Sequence, residues 1–377
     1  MSKVIMAGCD LHDRSMLIRY AVDVGEPQQW TFKNDATDRR RMIERLKSLA
    51  KKQGANRIVF AYEASGLGYG LADQCHDARI ECHVLSPTHL PKTRKAAKAK
   101  TDAKDAQMLL EQLRGYVLAG NKLPVVWTPP QRLREDRELV RARIDLADET
   151  TRIKNKLLST IKRYGVVRPS WYAPRWTKRI VRWLRQDVLP TLDLAVSAVL
   201  EQLVDQYEQL IASQAKLDKA IKQLSREQRY AGAFQKLIEI KGVGVLTAMS
   251  FLTEMGDLHR FDNRRQVAAY LGLCPSSHES GEANDRKGRI TRQGPARLRR
   301  VLCQAAWTSV VHCEQAQGDY HRIKQGQKKR TKKALVALMR KLGIRMWHLA
   351  MSAGVSSDLK GRGGPNELAK SLTGQSH

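Results

Sequence analysis

Aromatic side chains make up only 6% of this 377-residue chain, and no apolar run approaches the roughly 20 residues of a membrane span. That argues against a helix-anchored membrane protein. After Met1-Ser2-Lys3 the sequence enters a strand-like apolar run without the charged, apolar and small-residue zones of a signal peptide. The expectation is a protein of the cytoplasm or nucleoid. Cys9, Cys75, Cys82, Cys274, Cys303 and Cys313 include no Cys-x-x-Cys pair and read as reduced core residues, not as a disulfide frame or a zinc site. No Gly-x-x-x-x-Gly-Lys-Ser/Thr loop occurs, so no nucleotide-driven step is expected. Acid is scarce as well: 38 Asp and Glu stand against 67 Lys and Arg, for a net charge of +29. Such an excess implies a polyanionic partner, nucleic acid ahead of a membrane surface.

Because acid is scarce, where it stands is informative. Asp10 ends the run Val4-Ile5-Met6-Ala7-Gly8-Cys9, and Glu63 ends Ile58-Val59-Phe60-Ala61-Tyr62, so both carboxylates should emerge from the ends of buried strands. Asp102 and Asp105 lie three apart in Lys100-Thr101-Asp102-Ala103-Lys104-Asp105-Ala106, a spacing that puts both on one face of the helix that follows. A few carboxylate oxygens of this kind suit Mg²⁺, which otherwise keeps water or takes phosphate oxygens. His12 and Asp13, in Asp10-Leu11-His12-Asp13, read as outer-sphere or structural neighbours.

The chain is long enough for two or three domains. Residues 1–127 read as α/β, with strands at 4–10, 15–22, 29–33, 57–62 and 81–85 and helices at 37–53, 67–78 and 103–113. Antiparallel strands early and parallel crossovers later make a mixed sheet with helices on its faces. Pro129-Pro130 breaks the pattern. Residues 128–232 carry two long helices, 131–164 and 192–226, expected to pair as an antiparallel coiled coil that dimerises the chain. The insert at 165–190 interleaves Trp171, Tyr172, Trp176 and Trp183 with arginines, which suits either base stacking or capping of the helix pair. Residues 233–355 form a third, mainly helical domain that opens with Lys241-Gly242-Val243-Gly244, a helix-hairpin-helix-like turn whose backbone amides suit a phosphate. A basic run from Arg322 to Arg345 holds ten Lys or Arg and no acid. Residues 356–377 read as a disordered tail.

In the third domain a helix is expected to end at Gly272, followed by a polar loop with Ser276, Ser277 and Ser280. The cations Arg286, Lys287, Arg289, Arg292, Arg299 and Arg300 come next, with no acid among them. A hydroxyl nucleophile needs an exposed, flexible position and cations to hold developing phosphoryl charge; Ser280, beside Gly281, fits best. A serine in a polar loop is also the commonest kind of turn residue, and composition alone does not separate the two readings. His278 and Glu279 stand beside it without a defined part.

Taken together, Gly8-Cys9-Asp10, Tyr62-Glu63-Ala64-Ser65-Gly66, the Lys100–Ala106 stretch, Lys241–Gly244, Ala268-Ala269-Tyr270-Leu271-Gly272-Leu273-Cys274-Pro275, Glu279-Ser280-Gly281 and Gly294 to Arg299 resemble the DEDD transposases of bacterial insertion sequences, the bridge-RNA-guided recombinases. The resemblance covers roughly residues 4–115 and 235–350. It implies an RuvC-like, RNase-H-type domain in which Asp10, Glu63, Asp102 and Asp105 hold Mg²⁺, and a transposase domain with Ser280 as nucleophile. It further implies a covalent 5′-phosphoserine intermediate and a noncoding RNA that pairs with both donor and target DNA. The active site would be composite, its halves drawn from different subunits of a dimer or tetramer. Lys100, Lys104, Gly242, Gly244, Arg286, Lys287, Arg289, Arg292, Arg299 and Arg300 are the expected nucleic-acid contacts. The alternatives are a Mg²⁺-dependent junction nuclease of RuvC type in which water attacks, and a non-catalytic binding protein in which the acids are surface and cap residues.

Overall fold

The computed structural model describes residues 3–90, 101–172, 176–278, 286–354 and 359–362. They fall into two compact units, one from the N-terminus to Pro129 with Gly361 and Arg362, the other from Pro130 to Lys360. No helix among the described residues is long and apolar enough to cross a membrane.

The first unit is built on β1 (Lys3–Leu11), β2 (Ser15–Val22), β3 (Gln28–Lys33), α1 (Ala36–Gln53), β4 (Ala55–Glu63), α2 (Gly70–Asp77), β5 (Glu81–Leu85) and α3 (Asp102–Ala119). The sheet order is β3-β2-β1-β4-β5. β1, β2 and β3 pair antiparallel, while β4 lies parallel to both β1 and β5. This is the mixed sheet the apolar runs predict. Strand alternation assigns its two faces. Ile5, Ala7 and Cys9 of β1 join Phe60 and Tyr62 of β4 in one core with Met42, Ile43 and Leu46 of α1 and with Leu71 and Cys75 of α2. Met6, Val59 and Ala61 face the other way and pack against Leu109, Leu110 and Leu113 of α3. Helix α1 starts where the Asp35 carboxylate accepts the Asp38 amide and stops at Gly54, whose φ of 64° an L side chain rarely adopts. Helix α3 runs six residues past the expected end at 113, because Leu113 is still buried and only Gly120 turns the chain.

The second unit holds α4 (Gln131–Arg163), α5 (Lys178–Trp183), α6 (Leu194–Leu224), α7 (Gln228–Ile238), α8 (Val245–Met255), α9 (Arg264–Tyr270), a hairpin of β6 (Pro275–His278) and β7 (Arg286–Ile290), α10 (Ala296–His312), α11 (Glu314–Lys324) and α12 (Thr331–Ser352). The two long helices pair antiparallel: Arg143 meets Asp218, Gln214 donates to Leu146 O, and Lys154 lies over the Tyr207 ring. The aromatic insert packs against one end of this pair. Trp183 is buried, with Trp171 and Tyr172 edge-on to it, and Trp176 leans on Tyr207. Those rings serve packing, which answers one of the two readings of the insert geometrically.

Where a polar loop is expected after Gly272, the described residues on either side of 279–285 pair as strands, with Pro275 across from Ile290 and Ser277 across from Lys287. Nothing in its polar composition announces a strand; the pairing is made at its base. There Gly272 (φ 65°) and Gly294 lie so close that a Cβ on Gly272 would stand 2.8 Å from the Gly294 nitrogen. The Arg292 amide donates to Gly272 O, and the Thr291 amide to Cys274 O.

Candidate active site at the end of the sheet

Gly8, two residues before Asp10, makes the site possible. A Cβ there would sit 2.5 Å from the Leu110 nitrogen and 2.6 Å from the Ala106 carbonyl oxygen. Only a residue without a side chain lets α3 lie directly on β1. With α3 lying there, its first turn delivers Asp102 and Asp105 beside the end of β1, where Asp10 has the same parity as Met6 and Gly8 and so faces the same helix. Glu63 has the parity of Val59 and Ala61, and the last pair of the parallel ladder, Cys9 with Tyr62, leaves Asp10 and Glu63 as the next residues of neighbouring strands. All four acids therefore belong to one end and one face of the sheet.

The closest group is narrower than that quartet. Asp10, His12 and Asp102 each offer a ligand atom within 4.8 Å of the others. His12 Nε2 lies 3.1 Å from Asp10 Oδ2 and 3.6 Å from Asp102 Oδ1. Asp10 is largely buried, while His12 and Asp102 are open to solvent. Burial raises the Asp10 pKa above the usual carboxylate range, and the charges of Asp102 and Asp105 push it the same way against the lowering effect of His12. Asp105 is thus near enough to act on Asp10. Glu63 stands at its strand end outside the tight trio.

His12, expected as an outer neighbour, sits inside the group. Its place two residues after Asp10 gives the same strand parity, which was the available signal. The turn that carries it is held from behind: Asn34 Nδ2 donates to His12 O at 2.6 Å, and Arg39 Nε donates to Asn34 Oδ1 at 2.7 Å. Asp13 is exposed in that turn.

Two carboxylates and an imidazole this close, with a third acid adding to the repulsion, fit a divalent cation. The cation would relieve the like-charge crowding that the fold otherwise leaves in place. The oxygens suit a hard ion, and the nitrogen would also accept a first-row transition metal.

The expected nucleic-acid contacts divide. Lys104 is exposed on the first turn of α3, Arg289 is exposed on β7, and Arg292 is exposed just after it at φ 57°. Gly244 caps α8 facing open space. Gly242, at φ 98°, is turned inward instead, against Ala305 and Ser309 of α10, and Ser309 Oγ donates to Lys241 O. Arg299 donates to the Gly294 and Leu271 carbonyls, and Arg300 donates to Ile144 O and pairs with Asp148. Both arginines are thus held by protein carbonyls, and both remain partly exposed. Arg286 and Lys287 belong to β7. Ser280, with Glu279, and Lys100 lie outside the described residues.

Comparison with known proteins gives matches over two stretches of the chain. Residues 8–166 match a transposase domain of the IS110 DEDD type, and residues 234–322 match the transposase IS116/IS110/IS902 family. Two Sinorhizobium fredii proteins named as transposases are similar: y4qE at 31% identity, over 67% of this chain and 58% of its own length, and y4rJ at 30%, over 73% and 72%. The transposase for insertion sequence element IS1533 of Leptospira borgpetersenii is 24% identical over 81% of this chain and 86% of its own. The aligned part thus spans little more than half of y4qE and most of the other two. On these matches the chain belongs to the IS116/IS110/IS902 family of transposases.

Proposed function

We propose that this transposase cuts and exchanges DNA strands with a divalent cation, Mg²⁺ by the hardness of the oxygen donors, held by Asp10, Glu63, Asp102 and Asp105 in an RuvC-like first unit, and with Ser280 as nucleophile. The observation that carries the metal half is the seating of α3 on Gly8, which sets Asp102 beside Asp10 in a chain of net charge +29. Acids gathered against their own repulsion, among so many cations, are explained by a ligand that needs them. When bound, the cation polarises the scissile phosphate and favours departure of the 3′ oxygen. Ser280 Oγ gives up its proton and bonds to phosphorus as the P–O3′ bond breaks; the departing 3′ oxygen takes up a proton. The 5′ phosphoryl group is then held on the serine and can pass to another 3′ hydroxyl without ATP, in keeping with a sequence that has no nucleotide loop. Exposed Lys104, Arg289 and Arg292 are placed to neutralise backbone charge.

Sequence choice would fall to a structured noncoding RNA pairing with donor and target, since protein cations that hold phosphates carry no base information themselves. The antiparallel pair of α4 and α6, a coiled coil in this reading, supplies the dimer contact, and a tetramer would bring Ser280 of one subunit to the acids of another. The α7–α8 turn, with Gly244 facing solvent, is the helix-hairpin-helix element that takes DNA backbone. The protein would work in the cytoplasm, on the nucleoid.

End-labelled donor DNA incubated with the protein, its copurified RNA and Mg²⁺ tests the reading. A covalent protein–DNA adduct is expected, lost in Ser280→Ala while RNA binding persists. Cleavage that leaves no attached protein would replace it with the hydrolytic junction-nuclease reading. Sequencing of the copurified RNA should return one enriched species, and its absence would remove the guide.

A further inference from the structure

The chain has seven tryptophans, and six of them are buried or partly covered. Trp307 on α10 is the exception at 40% exposed, and Val311, one turn further, is 70% exposed. The Trp307 ring is braced from the protein side by buried Tyr320 of α11, with ring centroids 5.6 Å apart, so it is held in place while part of its surface meets water.

The surroundings are cationic. No Asp or Glu occurs from Arg286 to Cys313 or from Tyr320 to Ser357. Lys324 Nζ lies 5.6 Å from the Tyr320 centroid, and the short helical turn Lys328–Arg330 abuts α11. The nearby acid Asp319 is spent on Arg322 and Lys341, at 2.7 and 2.6 Å. A braced, solvent-facing indole on a helix without acid, with Lys324 over the Tyr320 ring that braces it, has the two properties that single-stranded nucleic acid selects: a flat apolar face for an unpaired base and positive charge for its backbone.

We infer that Trp307 is a stacking platform for an unpaired base of single-stranded DNA. DNA is the occupant chosen because the chain belongs to a transposase family, and strand exchange must unpair bases. The inference needs DNA as the substrate but neither Ser280 nor a guide RNA. Val311 would extend the apolar ledge along the helix, and the cations around Lys324 and Lys328 would follow the phosphates.

The test is equilibrium binding by the full-length protein of labelled 15-nucleotide oligothymidylate, oligouridylate of the same length, and a 15-base-pair duplex. Trp307→Ala is expected to weaken oligothymidylate binding about tenfold. Its dependence on salt should stay unchanged, because no charge is removed. Duplex affinity should stay within about twofold of the parent protein. Trp307→Phe, which keeps a ring, should bind oligothymidylate close to the parent protein, and the same tenfold difference is expected in EDTA, so a failed metal centre is told apart from a failed platform. Unchanged oligothymidylate binding in Trp307→Ala, or an equal loss on duplex, overturns the inference. A larger loss on oligouridylate than on oligothymidylate overturns the choice of DNA. A change of oligomeric state on size exclusion with unchanged binding shows a protein contact instead, and equally overturns it.

Discussion

In the second unit each of several carboxylates faces a guanidinium: Asp136 takes both arms of Arg229 at 3.0 Å, Glu254 takes Arg141 at 2.7 and 3.0 Å, and Asp145 takes Arg297 at 2.7 Å. At the end of β1 in the first unit, Asp10 and Asp102 face each other across an imidazole. The same side chain is thus used in two ways in a chain that has cations to spare. Where carboxylate and guanidinium meet in good geometry, the charges hold helices together, as Asp136 does for α4 and α7 with a further hydrogen bond from Tyr230. Where acids are brought together against their repulsion, the fold gives up stability, which under the proposed function a bound cation would restore.

If that contrast is right, amide substitutions should have opposite effects on the two sides. Asp10→Asn is expected to lower DNA cleavage about a thousandfold or more. Burial and neighbouring acids disfavour the ionised Asp10 in the fold, so removing its charge should also raise stability slightly. Cleavage gels and thermal melts together check both signs; a loss of stability alongside the lost activity would mean Asp10 is structural. Asp136→Asn should do the reverse. It leaves the buried Arg229 charge with only Glu227, at 3.4 Å, and is expected to cost about 3 kcal/mol in denaturant unfolding, while divalent-ion binding to the first unit, followed by calorimetry, stays unchanged.

Gly8→Ala tests the seat of α3. The new methyl would meet helix backbone, which cannot swing aside as a side-chain end can, so a loss of about 2 kcal/mol and a weaker ion affinity are expected together. The smallest effect is at Glu81. Burial disfavours its charge, but hydrogen bonds from His83 and Arg57 outweigh that and hold its pKa at about 2. With the folded pKa below the unfolded value of 4.5, the pair stabilises the protein above about pH 4.5 and its contribution fades as pH falls towards 2. Glu81→Gln should therefore cost about 1 kcal/mol at neutral pH, with a flatter acid limb in the stability profile.

Much of the first unit could be read in advance. The apolar runs at Val4–Cys9 and Ile58–Tyr62 and the i, i+3 acids of α3 marked the strands, the helix and the face on which the carboxylates stand. The gap was in what each group meets. His12 looked peripheral because its importance depends on α3 arriving overhead. The carbonyls that Arg299 and Arg300 meet could not be read in advance, because Gly294, Leu271 and Ile144 belong to other segments. The β6–β7 hairpin looked like a loop because polar strands carry little alternation; its pairing depends on Gly272 and Gly294 meeting at its base.

By itself the amino-acid sequence determined the periodicities, the strand ends that carry Asp10 and Glu63, the basic excess and the motif order that marks the family. These are local or additive properties: backbone geometry repeats every two residues in a strand and about every 3.6 in a helix, so the face of a residue follows from counting. Tertiary structure alone decided which arginines are engaged inside the protein, which glycine faces solvent, that Trp307 stays uncovered, and that Asp102 comes to Asp10. Each of those is a meeting between distant segments, and it depends on three-dimensional packing that no local pattern records.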